Sequence, residues 1–250
     1  MTIFGYIKKF ILIFLKYASL VLFSLVAIIP LVSCVITAFK TDAEYNSTNV
    51  MTPPSSWLYF ENFVSAFKKA GMGRAFINST IILIAVLILS VFIGTQLAYV
   101  LNRFQFFGNT LIRNLFLVAC QLPGVAMQIA VYEMMYKLGF INNMFGYILM
   151  TCGTDVISIY IYIQFFENID YSLDESAIMD GASYFTIFYK ILLPLLKPAI
   201  VTACILKGVG TYNEYYNANL YLQDKNRLVT VATSLFKFTG PVYLRRTPGK

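Results

Sequence analysis

What the sequence lacks first is histidine: among 250 residues there is none. That removes the commonest general base, proton shuttle and metal ligand. Cysteine is scarce, and Cys34, Cys120, Cys152 and Cys204 each stand alone inside an apolar stretch. They have neither the spacing of a metal site nor that of a disulfide framework, so they read as packing residues. Charge is scarce too, at 12% of residues against 58% hydrophobic, where a soluble domain is about a quarter charged. The surplus apolar surface has no place in water, and a bilayer is its natural solvent. The net charge of +7 does not indicate nucleic acid, which would call for a basic patch on a water-facing surface. Here the lysines and arginines punctuate apolar runs.

Those runs set the organisation. A spanning helix needs about 20 mostly apolar residues. No charge lies between Lys16 and Lys40, which places a first span at about Tyr17–Phe39, with Pro30 expected to kink it. The run is too long for a secretory h-region and ends without a small-residue cleavage site. From Lys40 to Asn78 the chain is mixed and polar, which predicts a long surface loop with Trp57, Tyr59 and Phe60 as interfacial anchors. Further spans follow at about Ile81–Leu101, Leu115–Tyr136 (with Pro123 and Gly124 inside), Met144–Phe166 (containing Asp155) and Ile191–Tyr212 (interrupted by Pro194, Lys197 and Pro198). Leu228–Phe238 is too short to span. The expected architecture is all-α, a polytopic transmembrane helical bundle of about five spans forming one domain over 1–250, with an atypical tail over 239–250. Lys8, Lys9, Lys16, Arg103 and Arg113 favour an inner N-terminus under the positive-inside rule, whereas Lys40, Lys68, Lys69 and Arg74 pull the other way.

The segment between the fourth and fifth spans, 167–194, is the most structured of the connections. Ser172 and Glu175 have capping-box spacing, and Asp174 and Glu175 suit the positive end of a helix dipole. Gly181 can adopt the left-handed conformation that ends a helix. Phe185, Phe188 and Leu192 then recur at helical spacing, and Pro194 fits the first turn of the next element. The prediction is a rigid helical knob, joined at both ends to spans and able to transmit a push from a water-soluble partner.

The same residues carry a resemblance. Permeases of bacterial ATP-binding-cassette (ABC) importers have a loop reading Glu-Ala-Ala, three residues, Gly, nine residues, Ile-x-Leu-Pro. This chain has Glu175-Ser176-Ala177, three residues, Gly181, nine residues, then Ile191-Leu192-Leu193-Pro194, with Ser176 the one departure. Asp180-Gly181-Ala182-Ser183, Leu193 to Ala199 and Asn213-Glu214 resemble the carbohydrate, maltose-permease-like branch, and the likeness runs from the first span to about Phe238. The resemblance implies that 167–194 is a cytoplasmic loop of coupling helices docking in an ATPase subunit. Glu175 and Gly181 would be central there, with Ser176, Ala177, Asp180, Ala182, Ile191, Leu193 and Pro194 in the same motif. It implies no catalysis and no cofactor in this chain, ATP being bound by the partner. It further implies cytoplasmic ABC ATPase subunits, a second homologous permease, an extracytoplasmic solute-binding protein and a carbohydrate substrate, in a multi-pass plasma-membrane protein with its N-terminus inside. The family norm is six spans, so the chain reads as stopping short after about Phe238–Gly240, and Pro241–Lys250 does not follow the family pattern.

Several polar residues at membrane depth are candidates for a translocation path. Asp155 either lines a cavity, as costly intramembrane acids usually do, or lies near the end of a shorter span. Gln121 and Gln128 either pair with sugar hydroxyls or bond between helices. Asn213 and Glu214 either face the pore or cap the fifth span. Glu133 and Lys137 have the spacing of a surface pair. Three function classes frame these residues. An ion-coupled secondary transporter or channel calls for paired broken repeats or charged rings. A membrane enzyme needs a nucleophile–base or metal constellation, which is missing. The importer permease accounts for the loop, with an inactive truncated permease as a further alternative.

Overall fold

A computed structural model of the chain describes residues 3–122, 124–153, 155–224 and 226–239; Pro123 and the tail beyond 239 lie outside them. The chain divides into two compact units, 1–69 and 70–250.

In the first unit α1 (Ile3–Ala38) is a single helix of 36 residues containing Pro30. At 1.5 Å per residue it rises about 54 Å, more than the roughly 30 Å hydrocarbon layer. The segment after it is more ordered than the polar composition suggests. α2 (Asp42–Ser47) opens on a full capping box: Thr41 accepts from the Glu44 N–H, and the Glu44 carboxylate accepts from the Thr41 N–H. The Lys40 side chain is buried, donating to Thr48 Oγ1 at 2.9 Å and Asn49 O at 2.6 Å. Asn62, in α3 (Glu61–Lys69), donates to the carbonyls of Ala38 and Lys40. Phe39 packs against Trp57, Phe60 and Phe63 with ring centroids 5.2–5.7 Å apart. The expected long loop is therefore a pair of short helices pinned by side chain to backbone bonds.

In the second unit α4 (Met72–Arg103) is the axis. It begins well before Ile81 because its first turns are tied down from afar. Asn78 donates to the carbonyls of Arg227 and Val229, and Ser79 accepts from the Val231 N–H. These bonds fasten α14 (Val231–Thr239) to the start of α4. Ala75, Ser79, Ile82, Val86, Ser90, Gly94, Ala98 and Leu101 form its buried stripe at three- and four-residue spacing. Small residues in the stripe let backbones approach closely. At Gly94 an added Cβ would lie 3.0 Å from the Tyr162 ring.

The other spans are broken. The third expected span is two helices, α5 (Asn109–Gln121) and α6 (Gly124–Lys137), bent by 110°. The fourth is α7 (Met144–Gly153) and α8 (Val156–Glu167), bent by 42° with Asp155 at the break. After α9 (Ser172–Met179), the chain from Tyr184 to Leu195 comprises α10 (Tyr184–Thr186), a π-helical turn (Ile187–Leu192) and α11 (Leu193–Leu195). It meets α12 (Lys197–Asn213) at 69°, and α13 (Tyr216–Tyr221) follows. Two helices among the described residues are long and apolar enough to cross a membrane, or five spans if each bent pair counts once. Pro194 explains the π turn, and Pro198, in the first turn of α12, sits at the bend that follows. Pro194 has no N–H to give, and its ring would strike the carbonyl four residues back. Widening the preceding turn moves that carbonyl aside, and the Leu193 N–H reaches Phe188 O instead.

Of the three cores along α4, two bear on the functional residues. One gathers Tyr99, Leu101, Tyr162, Phe166, Ala177, Phe188, Leu192 and Leu196. The other gathers Ile82, Val86, Met135, Tyr147, Cys152, Tyr221 and Leu222.

Candidate functional site

Two sites emerge, one at each of these two cores. The first is the knob at 167–194. The Ser172–Glu175 capping box does not form. Tyr171 precedes the helix without a side-chain cap, and the Ser172 N–H donates to Asp170 Oδ1 at 3.0 Å. That bond, with the Ser172 side chain, holds the Asp170 carboxyl below the ordinary carboxylate range. An aspartate two residues upstream competes for the same orphan N–H groups through a local Asx turn. Gly181 does end α9, at φ +80° with open space around it. The Ala182 N–H returns to Ala177 O and the Gly181 N–H to Ile178 O, both at 2.9 Å. Ser183 then caps the next helix by accepting from the Thr186 N–H.

The knob has two faces. Glu175, Ser176, Asp180 and Gly181 are exposed, as is Pro194, and Ala182, Ile191 and Leu193 are half-buried. Met179 is 87% exposed and Phe185 71%, so apolar side chains are offered outward beside the acids. Inward, α9 buries two residues, Asp174 and Ala177. Ala177 enters the core with Tyr99, Phe166 and Leu192. Asp174 meets Arg103, the last residue of α4, at 3.2 Å, with both side chains at least nine-tenths buried. Arg103 also donates to Ile169 O at 3.0 Å and lies 5.5 Å over the Tyr171 ring. Burial raises the Asp174 carboxyl above its ordinary value, and the Arg103 guanidinium pulls it back in part. Arg113 of α5 pairs with Glu167 at the end of α8, but both are about a third exposed. Such a pair contributes about 0–1 kcal/mol, whereas removing one member of a buried pair costs about 3–5 kcal/mol. The tether with energetic weight is therefore Arg103–Asp174.

The second site lies at the break between α7 and α8. Asp155, at the α7–α8 break, is buried and 3.6 Å from Lys207 of α12, which also donates to Thr151 O at 2.8 Å. They line a cavity of about 300 Å³ with Tyr147, Thr211, Glu214 and Asn217. Asp155 Oδ2 and Thr211 Oγ1 are both buried without a hydrogen-bond partner among the described residues. A second cavity, of about 680 Å³, shares Glu214 and Asn217 and adds Gln128. The Gln128 amide donates to Asn217 Oδ1 at 3.1 Å, and the Asn217 N–H donates to Glu214 Oε1 at 3.0 Å.

Of the five polar candidates, Asp155, Gln128 and Glu214 are thus brought together. Gln121 and Asn213 are exposed and lie outside both linings. Glu133 and Lys137 pair at 2.7 Å on the surface. Sequence reasoning overlooked Lys207 and Asn217. Lys207 had a signal, since a lysine inside an apolar run needs a buried partner; Asn217 had none.

This arrangement defines a class: a polytopic helical membrane protein with broken spans around polar cavities and a helical knob on its connecting loop. The family pattern described as "binding-protein-dependent transport system inner membrane component" matches residues 3–239, and the chain belongs to that family. Among its relatives, the probable ABC transporter permease protein YurM of Bacillus subtilis is 33% identical over 84% of this chain and 69% of its own. The diacetylchitobiose uptake system permease protein NgcG of Streptomyces coelicolor is 28% identical over 80% of this chain, which spans 66% of that protein's length. The maltodextrin transport system permease protein MalD of Streptococcus pneumoniae is 27% identical over 90% of this chain and 80% of its own. A solved bacterial ABC transporter involved in the import of the acidic polysaccharide alginate has the same fold, with a TM-score of 0.81 at 23% identity, over 92% of this chain and 80% of that one.

Proposed function

We propose that this chain is a membrane-spanning permease subunit of an ABC importer and that it carries a neutral sugar or oligosaccharide, energised by ATP hydrolysis in a separate cytoplasmic subunit. The observation that carries the reading is the knob. A helix of eight residues, with acids and a protruding Met179 outward and a buried charge pair inward, is built to take a push from a partner. The knob then faces the cytoplasm and docks on the ATPase, with Glu175 and Gly181 central. A second permease completes the pore, and an extracytoplasmic binding protein delivers the solute. The relatives named for diacetylchitobiose and maltodextrin support a carbohydrate.

Neutrality is supported by the cavity lining, where Asp155 and Glu214 face a single Lys207. The net negative charge in a low-dielectric setting opposes an anionic uronate, while the unpartnered Asp155 Oδ2 and Thr211 Oγ1 suit hydroxyl groups. Affinity purification from the native membrane is expected to recover an ATPase, a related permease and a solute-binding protein. Glu175→Ala is expected to weaken ATPase retention. In proteoliposomes with these partners, uptake of neutral oligosaccharides such as maltotriose, raffinose or diacetylchitobiose is expected, and uptake of trigalacturonate is not. Recovery of the chain without an ATPase would overturn the importer reading, and trigalacturonate uptake would overturn the neutral one.

A further inference from the structure

The geometry points to Arg103 and Asp174 as a positioning clamp that makes the knob and α4 move as one body, so that displacement of α9 by the ATPase reaches the membrane cavity. The inference rests on the coupling-knob reading above and adds the joint through which the push enters the spans.

Little else holds α9. Its buried side chains are Asp174 and Ala177, one turn apart on the same face. Ala177 contributes a methyl to the core, which resists compression but does not resist sliding. Arg103 Nη2 meets Asp174 and also donates to the Ile169 carbonyl, and the guanidinium covers the Tyr171 ring. One side chain at the end of α4 therefore grips the knob at three places along 169–174. With Nη1 donating to Asn102 Oδ1 within α4, the planar guanidinium is held in orientation as well as in distance. The grip is also imperfect: Arg103 Nε and Asp174 Oδ2 have no hydrogen-bond partner among the described residues, so the pair holds by charge at 3.2 Å without good hydrogen-bond geometry.

From Arg103 the route upward is continuous. α4 packs along α8, where Gly94 lies against Tyr162 and Ala98 shares a core with Tyr162 and Phe166. The other end of α8 begins at Asp155, which lines the cavity. A rigid shift of α4 therefore carries α8, and with it the acid at the break. The Arg113–Glu167 pair lies at the near end of α8 but is solvent-exposed, and water screens it.

The test uses the full assembly with its ATPase subunits, in a background where Cys34, Cys120, Cys152 and Cys204 are replaced by serine. Thr211→Cys reports cavity opening through its rate of labelling by a water-soluble maleimide, with and without a non-hydrolysable ATP analogue. In the parent the analogue is expected to change that rate at least about fivefold, the lower end of ordinary coupling between sites. In Asp174→Asn and in Arg103→Gln the response falls below about twofold while the ATPase stays bound, and combining the two adds little to either alone, as expected for partners in one interaction. Arg103→Lys, which keeps the charge but loses the fork, gives an intermediate response and serves where the neutral variants are poorly recovered. A full response in the single variants, or losses that simply accumulate in the double variant, would overturn the clamp. A parent assembly that retains no ATPase would overturn the coupling-knob reading itself, and the clamp with it.

Discussion

Lys207 shows what a single residue must satisfy at membrane depth. An ammonium among apolar side chains needs an opposite charge and a hydrogen-bond acceptor, and it finds Asp155 and the Thr151 carbonyl. Lys207→Met leaves the Asp155 carboxylate buried and alone, and is expected to destabilise the chain by about 3 kcal/mol. The low end of the range applies because Lys207 retains 16% side-chain exposure. Adding Asp155→Asn should recover most of that loss; thermal unfolding of the detergent-purified protein checks both. Glu44 makes the opposite case in water. Hydrogen bonds from Ser55, foremost through its side chain, and from the Thr41 N–H hold its carboxyl at about 2 instead of 4.5. A lowered folded-state value means that the stabilisation is complete above about 4.5 and fades as pH falls towards 2. The α2 capping box should therefore persist at pH 4, which NMR titration of the Thr41 and Ser55 amides would show. Of these two residues, Glu44 was the more legible. Thr41-x-x-Glu44 is a local pattern open to inspection, whereas the partner of Lys207 lies in another helix.

At the scale of the element, the proposed coupling knob has a sharp turn and short helices. Gly181 sits at φ +80° with nothing near its missing Cβ, so a side chain there meets backbone strain and no steric clash. Gly181→Val is expected to strain the turn by about 1–2 kcal/mol without unfolding the spans. Uptake should become uncoupled from ATP hydrolysis in the reconstituted importer, with a melting profile close to that of the parent. Unaltered uptake per ATP hydrolysed would remove Gly181 from the coupling role. The turn was readable in advance because left-handed backbone so strongly favours glycine. The start of α9 was not, because Asp170 and Ser172 both offer side-chain oxygens to the same backbone donors, and spacing alone does not rank them.

At the scale of the molecule, the broken helices matter most. Three expected spans are bent pairs, and a break inside a membrane is tolerated where the freed backbone lines a cavity or is buried in protein. The α7–α8 break delivers Asp155 to the same cavity wall as Glu214 and Asn217. With the Arg103 end of α4 at the knob and its Gly94 region against α8, α4 and α8 connect the knob at one core to the polar cavity at the other. A charge-reducing change tests the proposed preference for neutral solutes: Glu214→Gln should relax discrimination against trigalacturonate in reconstituted uptake, because one of the two carboxylates lining the cavity is removed.

Composition and local pattern were enough for the apolar solvent, the helical class, the rough places of the spans and the glycine turn of the knob. Each depends on runs, periods and single-residue backbone preferences that act within a few positions. Tertiary structure alone decided that the Arg103 guanidinium closes on Asp174, that Lys207 answers Asp155, that Gln128 and Glu214 meet through Asn217, and that Gln121 and Asn213 stay outside. These are pairings between residues remote in the chain. Burial makes each unpaired charge or amide too costly to leave alone, but only the packing of helices determines which partner is within reach.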